Sequence, residues 1–200
     1  MSVPKLFPMF LKLTGRRCLV VGAGTIAEGK IASLLEADAN VCVVAPKATA
    51  QVSDWADAKK IEWHARAYES NDLEGMFLVI ASTSSTSLHE QIFEAATRRG
   101  ILCNIVDVPP LCDFYYPAVV LRGALQIAIS TTGRSPALAQ RLRKELSEQF
   151  APEYEAWLEH LGAERDRLYA AKIDFEERKR LLHELASAQS FAAFLRTRTN

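Results

Sequence analysis

Residues 17–30 read RCLVVGAGTIAEGK, and the fold follows from how this stretch divides. Cys18–Val21 is a short apolar run of the kind that forms a buried strand, and Thr25 opens a helical pattern that lasts to Ala37. Between them stands Gly22-Ala23-Gly24-Thr25-Ile26-Ala27. Gly22 permits a tight turn, Gly24 lets backbone approach a pyrophosphate, and the small Ala27 allows close packing of helix on sheet. The helix N-terminus then offers N–H groups to phosphates. A strand, a G-x-G-x-x-A turn and a helix in this order point to dinucleotide binding. A glycine turn that merely joins strand to helix is the plainer alternative.

The same alternation continues outward. Val41–Ala45, Phe77–Ala81 and Ile101–Val106 are short apolar runs, and Ile61–His64 is a weaker one. Helical patterns at Ala50–Ala58 and Ser87–Arg99 separate them. Alternating β and α units predict an α/β, Rossmann-type doubly wound parallel sheet. After Pro109-Pro110 the pattern changes. Phe114–Ser130 reads as two strands about a turn at Arg122-Gly123, and a lone hairpin needs a surface to pack against; a second copy of the chain would supply one. Its Phe114, Tyr115, Tyr116, Val119, Val120 and Leu121 predict a homodimer joined through this segment. Ser135-Pro136 starts a helix running to about Phe150, and helices follow over Pro152–Ala171, Phe175–Ala186 and the tail after Ser187. The expected division is a dinucleotide-binding domain over residues 1–113, a dimerisation segment over 114–146 and a helical, substrate-covering domain over 147–200.

Composition narrows the function classes. Hydrophobic residues make up 49% of the 200, enough to fill a core. Twenty-four Lys and Arg balance 24 Asp and Glu, so net charge gives no reason to expect binding to nucleic acid or an acidic membrane. No apolar run is long enough to span a bilayer, and Pro8 and Lys12 spoil the start as a signal peptide. Cys18, Cys42, Cys103 and Cys112 show no CxxC spacing, which predicts buried free thiols in a reducing cytoplasm and no metal site. His64, His160 and His183 likewise have no ligand spacing.

Ligands of open α/β sheets bind at the carboxyl ends of strands. The second strand lacks the usual ribose-binding acid there: the chain reads Val44-Ala45-Pro46-Lys47, and the lysine leaves NADP open beside NAD. Glu36 and Asp38 precede that strand and are read as surface residues. Ser82-Thr83-Ser84-Ser85 forms a polar loop after the Phe77–Ala81 strand. Asn104 is either a cofactor contact or a satisfied core amide, and Asp107 on position alone is a turn residue before Pro109. Ser130-Thr131-Thr132-Gly133-Arg134 ahead of a helix suits carboxylates or phosphates, with simple capping as the plainer reading.

Taken together, FPMFLKLTGRRCLVVGAGTIAEGK (7–30), VCVVAP (41–46), NIVDVPPLCDFYYPAVV (104–120) and AISTTGRSPALAQRLRKEL (128–146) resemble the precorrin-2 dehydrogenase / sirohydrochlorin ferrochelatase family, the siroheme synthase N-terminal type. The resemblance covers roughly residues 4–146. It implies NAD-dependent oxidation of precorrin-2 to sirohydrochlorin, and in bifunctional members insertion of ferrous (or cobaltous) ion. It implies Gly22, Gly24, Thr25 and Ile26 against the dinucleotide, Pro46 and Lys47 beside its adenosine ribose, and Thr83 and Asn104 lining the crevice. Asp107 takes the place of the family's essential aspartate. Substrate carboxylates are expected at Arg122, Ser130, Thr131 and Arg134, with Arg141 and Arg143 adding positive charge. The sequence departs from the family's pattern at Gly29 (usually Arg), at His89 (usually Asn, read here as structural) and at Thr131-Thr132-Gly133 (usually Ser-Gly-Gly). Two hundred residues leave no room for the methyltransferase domain fused in some relatives, so precorrin-2 is expected from a separate enzyme. The rival of another class is a non-catalytic NAD-sensing Rossmann module, which has no need of the hairpin or the basic loop. A dehydrogenase without chelatase activity is a second alternative.

Overall fold

The computed structural model describes residues 5–198. Residues Lys5–Tyr115 form one compact unit, and the chain from Tyr116 onward forms another.

The first unit is the expected parallel sheet. Its strands are β1 (Arg17–Val21), β2 (Asn40–Val44), β3 (Glu62–His64), β4 (Leu78–Ala81) and β5 (Leu102–Ile105), and its helices α1 (Thr25–Glu36), α2 (Ala50–Asp57) and α3 (Thr86–Arg99). The order is β3-β2-β1-β4-β5, with every pairing parallel. Strand periodicity splits the core. Cys18, Val20, Val41, Val43, Leu78 and Ile80 face Ala27, Ile31 and Leu34 of α1 and Val52 of α2. Their neighbours Leu19, Val21, Val44, Val79, Cys103 and Ile105 face Ile92, Ala95 and Ala96 of α3. Because both faces are covered, the strands read as continuous apolar runs. The chain reverses its direction of winding between β1 and β4, which puts the switch point where Gly22 and Ser82 leave the sheet.

The expectation of buried thiols holds for three cysteines. Burial pushes the thiols of Cys18 and Cys42 up to about 11 and that of Cys103 to about 12. Cys112 is half-buried and donates to the Ile105 and Val108 carbonyls.

In the second unit the hairpin is shorter than Phe114–Ser130. Strands β6 (Ala118–Arg122) and β7 (Leu125–Ile129) pair antiparallel, and Arg122 is the last paired residue rather than part of the turn. The turn is Gly123-Ala124, with Gly123 at φ +54°, the positive φ that a two-residue II′ turn requires at its first position. A Cβ on Gly123 would also stand 2.7 Å from the Glu155 side chain. Phe114 to Pro117 lie outside the strand; Phe114 belongs to the first unit, where its carbonyl accepts from Asn104.

Helices α4 (Pro136–Gln149), α5 (Glu153–Ala170), α6 (Phe175–Leu185) and α7 (Ala188–Arg198) complete the unit. Ser135 caps α4 through the Leu138 N–H and Asp174 caps α6 through Glu176 and Glu177, as their residue types lead one to expect. Val120, Ala139 and Trp157 are buried. Phe150, Tyr154, Trp157 and Phe191 meet ring to ring, with centroids 4.5–5.6 Å apart along the cluster. Val120 therefore points into its own unit and cannot serve a dimer face as expected, whereas Val119 and Leu121 are exposed.

Candidate cofactor crevice and carboxylate loop

Gly22 and Gly24 do different work. Gly22 has φ +104°, its N–H donates to the Val44 carbonyl at 2.9 Å, and a Cβ on it would lie 2.3 Å from the Ser82 carbonyl oxygen. Glycine is required there because the β1–α1 turn lies directly on the loop after β4. Gly24, by contrast, has φ −85°, open to any residue, and a Cβ on it would meet no protein atom within 4 Å. Nothing inside the chain demands glycine at 24, and the open space beside it is what close approach of a dinucleotide phosphate needs. Gly24 is also the N-cap of α1 and brings no side-chain cap, whereas Thr49, Ser85, Ser135 and Asp174 cap their helices. The first N–H groups of α1 are left for a ligand anion.

Around this turn the other expected cofactor residues gather. Thr25 is exposed on the first turn of α1, and Ile26 beside it is 58% exposed, unusual for an isoleucine. Pro46 and Lys47 stand exposed at the carboxyl end of β2. The Thr83 hydroxyl is buried and has no hydrogen-bond partner, which is costly unless a ligand supplies one. Its loop is held from behind, since His89 Nε2 lies 2.9 Å from the Thr83 carbonyl; His89 is structural, as expected. Glu36 and Asp38 lie at the opposite end of β2, ahead of Asn40, and cannot replace the missing ribose acid. An orphaned hydroxyl, an uncapped helix and an unrequired glycine on one rim together fit a dinucleotide.

Asn104 is buried, and one amide N–H donates to the Phe114 carbonyl at 2.7 Å, which leaves its second N–H and its Oδ1 for other partners. Alongside it, Asp113 accepts from the Cys103 N–H at 2.9 Å, and Cys112 bridges Asn104. β5 is an edge strand, and this returning segment satisfies its outward backbone groups. Asp113 was not expected as a functional position; a carboxylate eight residues after the end of an edge strand carries no local signal of that contact.

Asp107 stands just past β5, exposed, with φ +62°. Aspartate tolerates this left-handed conformation better than most residues. Hydrogen bonds from Val108 N–H to the Ile105 carbonyl and from Leu111 N–H to the Val108 carbonyl stiffen the turn around it. Asp107 also acts electrostatically on Lys30 of α1: burial lowers the lysine's pKa, and the Asp107 charge works against that.

In the second unit the Ser130–Ser135 loop is built from local bonds. Thr131 Oγ1 donates to the Ser135 carbonyl and accepts from its N–H, and Ser130 Oγ accepts from the Thr132 N–H. Thr132 and Gly133 take positive φ, which turns Arg134 out into solvent. Arg141 pairs with Glu145 at 3.3 Å. Arg122 does not join an exposed rim. Its Nε donates to the Phe150 carbonyl, and one terminal nitrogen donates to both the carbonyl and hydroxyl of Ser147, all at 2.8 Å. It therefore caps the carboxyl end of α4, where a cation belongs. Arg122→Ala should lower stability by about 2–3 kcal/mol, as loss of charge-assisted hydrogen bonds does. Chemical denaturation measures this, and a change under ~0.5 kcal/mol, the size of an ordinary surface substitution, would remove the capping role.

Two family models match this chain. One, described as "Putative NAD(P)-binding", covers residues 9–118, more than half of the chain. The other, described as "Sirohaem biosynthesis protein central", covers residues 122–149. Among curated proteins, the siroheme synthase of Nitrosococcus oceani is 43% identical over 139 residues, 70% of this chain and 30% of that protein. The siroheme synthase of Actinobacillus pleuropneumoniae serotype 3 is 36% identical over 184 residues, 92% of this chain and 38% of that protein. The chain thus spans between a third and two fifths of the relative it matches over the greater length. Among solved structures, SirC, a precorrin-2 dehydrogenase, superposes with a TM-score of 0.84 at 26% identity, covering 97% of this chain and 96% of that one. With an NAD(P)-binding unit followed by the sirohaem central segment, and this fold throughout, the chain belongs to the siroheme synthase N-terminal family, the family of precorrin-2 dehydrogenases.

Proposed function

We propose that this protein oxidises precorrin-2 to sirohydrochlorin with NAD, and that Asp107 is the base of the reaction. The observation that carries the reading is Asp107 itself, a carboxylate held in a stiff left-handed turn at the carboxyl end of β5, in the unit that carries the cofactor crevice. The nicotinamide, when bound, accepts the hydride. The chain must then bind the dinucleotide, take a proton and hold an octacarboxylate. Gly24 and the first turn of α1 take the pyrophosphate, with Thr25 and Ile26 beside it. Pro46 and Lys47 flank the ribose, and the Thr83 hydroxyl gives or accepts the hydrogen bond it lacks in the protein alone. Asn104, anchored to the Phe114 carbonyl through one N–H, lines the crevice beside them. Asp107 accepts the substrate proton.

Substrate carboxylates are taken by Arg134, turned outward by its loop, together with the Ser130 hydroxyl, whose O–H is not used within the loop, while Thr131 holds the loop through Ser135. Where ferrous ion is a substrate, its insertion displaces the two pyrrole N–H protons of sirohydrochlorin, and the same Asp107 would take these in turn and pass them to solvent, or hold the incoming ion. No helix among the described residues is long and apolar enough to cross a membrane. The functional division remains the dinucleotide-binding part over 1–113, the dimerising part over 114–146 and the substrate-covering part over 147–200. The exposed Val119 and Leu121 form the homodimer contact, and light scattering that finds a stable monomer at micromolar concentration would refute it.

The activity is tested by incubating the protein with precorrin-2 and NAD, in parallel with NADP. Sirohydrochlorin and NADH should form together and in equal amounts. Ferrous or cobaltous ion added after oxidation is complete reports insertion separately. Tight NAD binding with no oxidation would instead favour the NAD-sensing module.

A further inference from the structure

Cys42 of β2 and Glu62 of β3 are direct partners in the parallel register, and His64 follows two residues along the same strand. All three side chains therefore stand on one face of the sheet, at its β3 edge. The Cys42 sulfur, a Glu62 carboxylate oxygen and an imidazole nitrogen of His64 lie within 4.8 Å of one another. Among the described residues this is the group of three such side chains that converges. His64 Nε2 is 3.2 Å from Glu62 Oε1, the thiol is buried, and the other two side chains are 38% and 62% exposed. A ligand can reach the two outer groups from solvent while the sulfur closes the inner side. None of the three belongs to the cofactor crevice.

We propose that Cys42, Glu62 and His64 form a site for one borderline-soft divalent transition-metal ion of the zinc type, with water as the fourth ligand. Sulfur, imidazole nitrogen and carboxylate oxygen are the three donor types zinc takes, and three protein ligands plus water is a familiar open arrangement. Bonds of about 2.0–2.3 Å in a tetrahedron hold ligand atoms about 3.3–3.8 Å apart. From 4.8 Å the widest gap must contract by about 1.0–1.5 Å, and rotation of the exposed Glu62 and His64 side chains supplies it. On binding, the thiol proton passes to solvent and the thiolate coordinates. Two guanidinium groups act on Cys42, those of Arg17 and Arg66, and the Arg66 guanidinium is bonded to the Asp72 carboxylate. An ion here would fasten β3, a three-residue edge strand, to β2. Its occupant is chosen by donor chemistry: a thiolate and an imidazole select against magnesium and calcium.

Cobaltous ion is a suitable probe, since cobalt on a thiolate absorbs in the near ultraviolet. The full chain, metal-free and kept reduced with a phosphine, should show a thiolate-to-cobalt band saturating at one equivalent. Cys42→Ser should lose that band, and His64→Ala should bind cobalt at least ~10-fold more weakly. Zinc should displace the cobalt and raise the melting temperature of the native chain, with no rise in His64→Ala. His64 is partly exposed, so this variant tests the site even if Cys42→Ser fails to fold, and retained NAD binding confirms that it is folded. A native chain with no band under excess cobalt overturns the proposal, as does a band that survives in Cys42→Ser. A melting temperature indifferent to zinc overturns it too. No tetrapyrrole is present in these experiments, so their outcome is independent of the dehydrogenase reading.

Discussion

Asp107→Ala is expected to slow precorrin-2 oxidation by on the order of 10²–10⁴, the usual contribution of one positioned acid–base group. NAD binding should stay close to native, because in the proposed arrangement the dinucleotide phosphates rest on Gly24 and the first turn of α1 and not on the Asp107 side chain. Asp107→Asn should be impaired to a similar degree, since it keeps the shape and loses the base. It should also tolerate the φ of +62° well, as asparagine does. Alanine pays more there, about 1 kcal/mol of backbone strain. Agreement between the two variants thus separates lost chemistry from a distorted turn. Single-turnover rates and NAD affinity on the same preparations provide the measurement. Turnover near the native rate in either variant would leave Asp107 as a turn residue.

The second large effect is a contrast between two glycines that a motif treats alike. Gly24→Asp should abolish NAD binding, because a carboxylate placed at the uncapped start of α1 occupies and repels the position a pyrophosphate takes. Its fold should survive, because a Cβ there touches nothing within 4 Å and an aspartate is a good N-cap. The variant could even be slightly more stable than the native chain. Gly22→Ala should do the reverse and damage the fold itself. A Cβ 2.3 Å from the Ser82 carbonyl oxygen at φ +104° forces the β1–α1 turn away from the β4 loop. That combination of overpacking and backbone strain costs at least about 2–4 kcal/mol. Denaturation curves and NAD titrations of both variants suffice. A folded Gly24→Asp chain with native NAD affinity would remove the pyrophosphate from that position.

The sequence by itself determined the sheet and its order of elements. Buried parallel strands must be apolar on both faces, so Cys18–Val21, Val41–Ala45, Phe77–Ala81 and Ile101–Val106 stood out as runs, and the observed strands differ from them by a residue or so at their ends. It also determined the cap at Ser135, the turn at Gly22 and the place of Asp107, because each depends on neighbours close along the chain. What only the tertiary structure decided depends on contacts between distant residues. Arg122 looked like a surface cation but spans 25 and 28 residues to close α4 at Ser147 and Phe150. The Phe114 carbonyl that accepts one N–H of Asn104 comes from ten residues further along the chain. Val120 alternates with Val119 and Leu121 in the same strand, and which of them turns inward is set by the helices packed on one side of the hairpin. The Cys42, Glu62 and His64 cluster is the clearest case. No linear spacing of metal ligands announces it, since the residues are 20 and 22 positions from the cysteine, and only the register of two parallel strands brings them to one face. Local chemistry is written along the chain, whereas register and long-range capping arise when separate elements meet.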